Sequence, residues 1–400
     1  MSAAVSSAKP SLSVWERCFQ VLFCILGILA LMKLVGRATV PKGDHMIYFA
    51  AAKALSSGGD PYTIPGKGAS GYLYPPFWAF VLTPLTMLGP IAYAALWAVL
   101  LGASWWFARR LIHVLAAMPG AMLPNWIAFA PAVFLLRPIH EAWGRGQVSL
   151  LLLFLACLAI FLEREGRWFL AISLIALAGA IKIYPLWLLL LFVAPFRPLC
   201  LLAAGLVSLA LALSPTLVVG MDRLLFLIQE GLMTTSRVAL EHQAVTVVRC
   251  APVPTLWRLA GWEAGTTLQV VQILWLLSVA LLAAFTRPSS GNSKHRRIWT
   301  AFVVTSMLVV TPALAEDFFV LLLLPVTTSL VLVSDEAPGS TVRRCLLAGL
   351  VVFAVLYSVF LPGIIPSELM ARPRELGLPA AALTAYWSSL LVALFLIRKR

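Results

Sequence analysis

A few ionisable residues stand where such groups are costly, and they suggest acid–base and anion-binding chemistry. Asp44, in Lys42-Gly43-Asp44-His45-Met46-Ile47-Tyr48, follows the first apolar run directly. Its simplest role is an N-cap of the helix that begins there, a contribution of about 1 kcal/mol. Asp60-Pro61 has the simpler reading of a turn starter. Lys182 ends an apolar run just before Tyr184-Pro185. Placing Lys inside a span costs about 2.5–3.5 kcal/mol, so a functional role is the default. The alternative is that it snorkels to the headgroups. Glu316 and Asp317 interrupt another apolar run and must face a water-filled cleft, pair with a base, or sit in a simple turn. Glu141 stands between Arg137 and Arg145, where it is either a second acid or an ordinary salt-bridge partner. His242 is a lone histidine, and the six cysteines show no C-x-x-C or other ligand spacing. No metal site, cofactor or disulfide framework is expected.

These residues must be positioned by membrane helices. The chain has 400 residues, of which 61% are hydrophobic and only 12% charged. Soluble domains carry about a quarter charged residues. The net charge of +14 is therefore read as membrane topology and not as a nucleic-acid surface. The first apolar run lacks a cleavage signature and reads as a retained anchor.

A crossing takes about 20 apolar residues. Parsed that way, the expected spans are 18–36, 91–112, 125–137, 147–162, 168–183, 185–196, 199–219, 267–286, 298–313, 318–334, 344–361 and 381–397. Residues 74–90 read as a half-inserted segment after the Tyr74-Pro75-Pro76 turn. This gives one all-α multispanning domain over 1–400, of about 12 transmembrane helices, with both termini cytoplasmic. The short inner connections then hold Arg109, Arg110, Arg164, Arg167, Arg197, Arg287, Arg296, Arg297, Arg343 and Arg344, as the positive-inside rule requires. Segments 37–73, 138–146, 220–266, 314–317 and 362–380 fall outside and carry 11 of the 16 acidic residues. Chemistry is therefore expected at the outer face.

The order of the motifs narrows this further. Asp44 is followed by Ala51 to Tyr62, and then by Tyr72-Leu73-Tyr74-Pro75-Pro76-Phe77-Trp78. Later come Gly146-Gln147, opening a span, and Gly179-Ala180-Ile181-Lys182-Ile183-Tyr184-Pro185. This order resembles glycosyltransferase family 87, the polyprenyl-phosphate-sugar-dependent branch of the multispanning GT-C class. The resemblance covers roughly residues 40–330. The sequence departs from the family pattern at Glu241-His242-Gln243-Ala244, ahead of Arg249, and at Thr311 to Phe318. Both departures bear on the sugar and the acceptor.

The resemblance implies an inverting, metal-independent transferase of the bacterial inner (plasma) membrane. It would move a sugar, mannose above all, from a polyprenyl-phosphate donor to a lipid or glycan acceptor. Such a reaction passes through an oxocarbenium-like transition state. Its phosphate leaving group needs cations to hold developing charge, while the acceptor hydroxyl needs a base. By resemblance Asp44 is that base. Lys182, then Arg249 and Arg237 in the long outer loop, are the cations expected at the donor phosphate. Glu141, Glu316 and Asp317 are the second-acid or acceptor candidates, and Tyr62, Tyr74, Pro75, Gln147 and His242 would shape the groove. The competing reading is a transporter or lipid flippase. It would need ionisable groups near the bilayer midplane, whereas most acidic groups here lie in the outer segments.

Overall fold

The computed structural model describes residues 43–65, 71–117, 124–193, 198–245, 250–263, 265–288, 292–312, 314–358 and 376–398, together with parts of the first apolar run. Arg249 lies outside the described residues, as does the side chain of His242. Among the described residues the chain forms helices and turns and no strand. The principal helices are α1 Asp44–Ser56, α2 Pro76–Leu82, α3 Gly89–Ala116, α4 Leu136–Arg145, α5 Ser149–Arg164, α6 Trp168–Ile181 and α7 Pro198–Leu213. They continue with α8 Met221–Val245, α9 Pro252–Leu259, α10 Thr266–Phe285, α11 Ser293–Val310, α12 Leu323–Asp335, α13 Thr341–Phe353 and α14 Leu378–Arg398.

Five helical stretches among the described residues are long and apolar enough to cross a bilayer: Pro76–Ala116, Pro198–Val219, Thr266–Phe285, Glu316–Asp335 and Leu378–Arg398. The bent pair α4–α5 makes a sixth if it counts as one crossing. This is a helical membrane protein, with fewer uninterrupted spans than the twelve expected. The expected span 125–137 is a 3₁₀ turn, Asn125–Ala128, followed by Ala130–Phe134. The expected span 185–196 is likewise Tyr184–Leu189 followed by Leu190–Val193. Pro131 and Pro185 open new short helical pieces in these stretches, because proline has no N–H to continue the preceding turn. Residues 76–88 do not stand apart from the next helix. They lead into α3 through Gly89, whose φ of +74° re-aims the chain.

The segment 138–146, expected as a loop, is most of α4. It is helical because its residues sort onto two faces. Arg137, Ile139 and Ala142 are buried, while His140 and Arg145 are exposed. The long segment 220–266 is also largely helical, as α8 and α9.

Burial separates the helices into inner and outer ones. The stretch Glu316–Asp335 is 94% buried over its most apolar window, against 11% for Pro198–Val219 and 17% for Thr266–Phe285. The innermost stretch is buried on all sides, and the peripheral helices leave large aliphatic side chains for lipid. α3 packs on α5, α5 on α6, and α11 on both α12 and α14.

The bundle has two chemically different ends. At one, Arg296 pairs with Glu163 at 2.7 Å and Lys294 with Glu336. There Arg164 and Arg297 also donate to the last carbonyls of α3, those of Leu115 and Ala116. These residues close α3, α5 and α12 and open α11. The opposite end of α5 meets the stretch that leads into α12, where Ser149 bonds to Asp317.

Candidate active site

The site is built where α1 meets the bend between α4 and α5. These two helices turn through 117°, with Gly146 at the corner. Gly146 has φ +68°, and a Cβ there would lie 2.7 Å from the Nδ1 of His45. Gly43, at φ +111°, precedes α1. A Cβ on it would meet the His45 ring at 3.0 Å and the Arg145 carbonyl at 3.3 Å. Both positions therefore need glycine, for backbone conformation and for space. The corner is pinned by Trp97, whose indole N–H donates to the Gly146 carbonyl at 2.9 Å.

Asp44 is the first residue of α1, the N-cap is Gly43, and no side chain caps the helix. The capping reading of Asp44 is thus replaced, because its carboxylate accepts a hydrogen bond from the Gln147 amide. Asp60 does act as a cap, accepting from the Tyr62 N–H at 2.9 Å. In the first turn of α1 the Asp44 charge is also favoured by the helix dipole.

The Gln147 carbonyl oxygen lies 3.2 Å from the Tyr48 oxygen and 3.1 Å from the Tyr74 oxygen, and those two are 2.7 Å apart, so one phenol donates to the other, which donates to the amide. Tyr48 is four residues beyond Asp44 and so lies on the same helix face. Burial, with the Asp44 charge adding to it, pushes both phenols well above their ordinary range. They therefore stay protonated and able to donate. Pro75 caps α2 and Pro76 begins it, and the turn is tied down from both sides. Tyr62 donates to the Tyr74 carbonyl at 3.0 Å, and Tyr72 to the Pro75 carbonyl at 2.9 Å.

Lys182 leaves the end of α6 in extended conformation. Its ammonium lies 4.7 Å from the Tyr74 ring centre and 3.9 Å from that of Phe318, and it forms no ion pair among the described residues. This is inward cation–π seating, not snorkelling. Tyr184 packs on Phe318 from the same turn, with ring centres 5.2 Å apart.

Asp317 is buried and accepts from the Ser149 hydroxyl at 2.8 Å. Glu316 forms a buried ion pair with Arg137 at 2.6 Å, which takes up one of the alternatives the sequence left open. Glu141 pairs with Arg145 at 2.9 Å in a more exposed position.

The structure therefore brings Asp44, Gln147, Tyr74 and Lys182 together, with Tyr62 and Pro75 supporting the turn and Glu316 and Asp317 on the innermost helical stretch. Arg237 is exposed on α8 and takes no part in this cluster. Sequence reasoning missed Tyr48, Ser149 and Phe318. Tyr48 carried a signal, its helical spacing from Asp44. Ser149 and Phe318 carried only their adjacency to Gln147 and Asp317.

A helical bundle with a half-buried carboxylate, an amide and an ammonium gathered at one end defines a membrane protein with an internal polar site. The description "Glycosyltransferase family 87" matches residues 72–312, and the chain belongs to that family. It is a membrane glycosyltransferase, acting on a sugar donor and an acceptor. The matched stretch includes Tyr74, Gln147 and Lys182, while Asp44, Glu316 and Asp317 lie beyond its ends. No curated protein and no solved structure matches the chain.

Proposed function

We propose that the protein transfers a sugar, mannose as first choice, from a polyprenyl-phosphate donor to a lipid or glycan hydroxyl at the extracytoplasmic face, with inversion. One observation carries this reading. A carboxylate and an ammonium are held on the same tyrosine, Asp44 through Gln147 at its hydroxyl and Lys182 over its ring. In a single displacement, Asp44 takes the proton of the acceptor hydroxyl, whose oxygen bonds to the anomeric carbon. The bond from that carbon to the phosphate oxygen breaks with its electron pair, and the phosphate leaves as an anion facing Lys182. A positioned base contributes about 10²–10⁴ in rate. A preplaced cation stabilises the departing charge without reorganising.

The two-ended bundle supports the outer-face assignment. The Arg-rich ends of α3, α5, α11 and α12 would take the inner side by the positive-inside rule, which supports a site on the outer side. The bacterial plasma membrane follows from the resemblance.

Purified protein is given radiolabelled polyprenyl-phosphomannose or a nucleotide-activated mannose, each with an extract of envelope lipids and glycans as acceptor. Transfer is expected from the lipid donor alone. Transfer from the nucleotide sugar would overturn the donor assignment.

A further inference from the structure

We infer that Gln147 is the positioning residue of the Asp44 carboxylate, and that Tyr48 and Tyr74 hold its amide in the one orientation that can do so. The inference rests on Asp44 being the base. A primary amide between a carboxylate and two phenols has two possible orientations. With its oxygen towards Asp44 it would set two acceptors face to face. With its N–H towards Asp44 it donates to the charge, and its oxygen is left to accept from the hydrogen-bonded phenol pair. The structure has the second arrangement, with both phenols within 3.2 Å of that oxygen.

Each link is supplied by a different element. Asp44 and Tyr48 come from one face of α1, Tyr74 from the turn before α2, and Gln147 from the corner between α4 and α5. The corner is itself fixed by the glycine at 146 and by the Trp97 bond. The base thus receives a hydrogen bond from a distant part of the fold. Tyr74 also carries Lys182 on its ring, so the amide that aims the base is tied to the residue that seats the cation.

The chemistry gives a signature that a merely structural glutamine would lack. A hydrogen bond donated to a carboxylate favours its charged form and keeps its pKa low. Activity requires the charged base, so it falls as pH drops through that pKa. Removing the donor raises the pKa and moves the acid limb of the profile to higher pH. Putting a second carboxylate in its place moves the limb further, because like charges resist ionising together.

The test compares wild type, Gln147→Leu, Gln147→Glu and Asp44→Asn by pH–rate profile and by kcat and donor KM, each checked for its unfolding temperature in detergent. Expected are a 10- to 100-fold fall in kcat for Gln147→Leu with donor KM within about threefold of wild type. Its acid limb should move up by about 1–2 pH units, and that of Gln147→Glu by at least as much. Gln147→Glu is nearly isosteric and reports on the limb even if Gln147→Leu folds poorly. An inactive Asp44→Asn beside a Gln147→Glu with a wild-type profile would overturn the positioning role alone. An active Asp44→Asn would overturn the base itself, and the positioning role with it.

Discussion

Lys182 is seated over two aromatic rings and forms no ion pair among the described residues. An ammonium seated on two rings keeps part of its solvation as cation–π attraction, about 0.5–2 kcal/mol per contact, and leaves its charge available to a ligand. Lys182→Met keeps the length and removes the charge. Steady-state kinetics should show a donor KM raised about tenfold or more, with the KM for the acceptor little changed. An unchanged donor KM would remove Lys182 from the phosphate site. The residue scale also shows where sequence reading stops. Lys182 was legible because a lysine in an apolar run is costly wherever it points. Asp44 was legible as a residue placed at a helix start, but not in its partner. That partner is 103 residues away, and no local pattern encodes such a contact. Helix starts favour aspartate for capping, which is the reading Asp44 invites when taken alone.

The α4–α5 corner decides the site at the scale of elements. Gly146→Ala must put a Cβ 2.7 Å from the His45 ring nitrogen while holding a left-handed backbone. Gly166, in the turn between α5 and α6, has a similar φ of +75° but open space around it. Gly166→Ala should therefore cost only the backbone term, about 1–2 kcal/mol. Gly146→Ala should lower the unfolding temperature further and also abolish most transfer, because it displaces Gln147. Equal effects of the two substitutions would show that the corner is not tightly packed. The second element-scale device is the ion pair Arg137–Glu316, which joins α4 to the start of the innermost stretch with both side chains about 5% exposed. Arg137→Ala removes the cation paired with the buried Glu316 carboxylate and should cost about 3–5 kcal/mol in a denaturation experiment. Replacing both partners by leucine should recover much of that stability. The corner was hidden in the sequence because polar residues at 137, 140, 141 and 145 read as a loop between spans. Only their sorting onto helix faces makes them α4.

At the scale of the whole molecule, the bundle carries the Asp44–Gln147–Lys182 cluster toward one end and the Arg164, Arg296 and Arg297 cluster at the other. Composition alone made the membrane class legible. The number of crossings was not, since proline-opened pieces such as Tyr184–Leu189 satisfy an apolar-length criterion without forming a continuous helix. Single cysteines at exposed positions read the orientation directly. Ser57→Cys, beside α1, should react with a membrane-impermeant maleimide added outside intact cells, and Ser293→Cys, opening α11, only after permeabilisation. The opposite labelling pattern would place the site on the inner side and remove the outer-face reading.

The central claim, a sugar transfer run by Asp44, is tested most directly with Asp44→Asn. Wild type and variant are purified, shown to unfold at the same temperature, and given a radiolabelled polyprenyl-phosphate sugar with acceptor. The expected result is transfer by wild type and a rate at least 100-fold lower for Asp44→Asn, the lower bound for losing a positioned base. Comparable rates from the two proteins would contradict it.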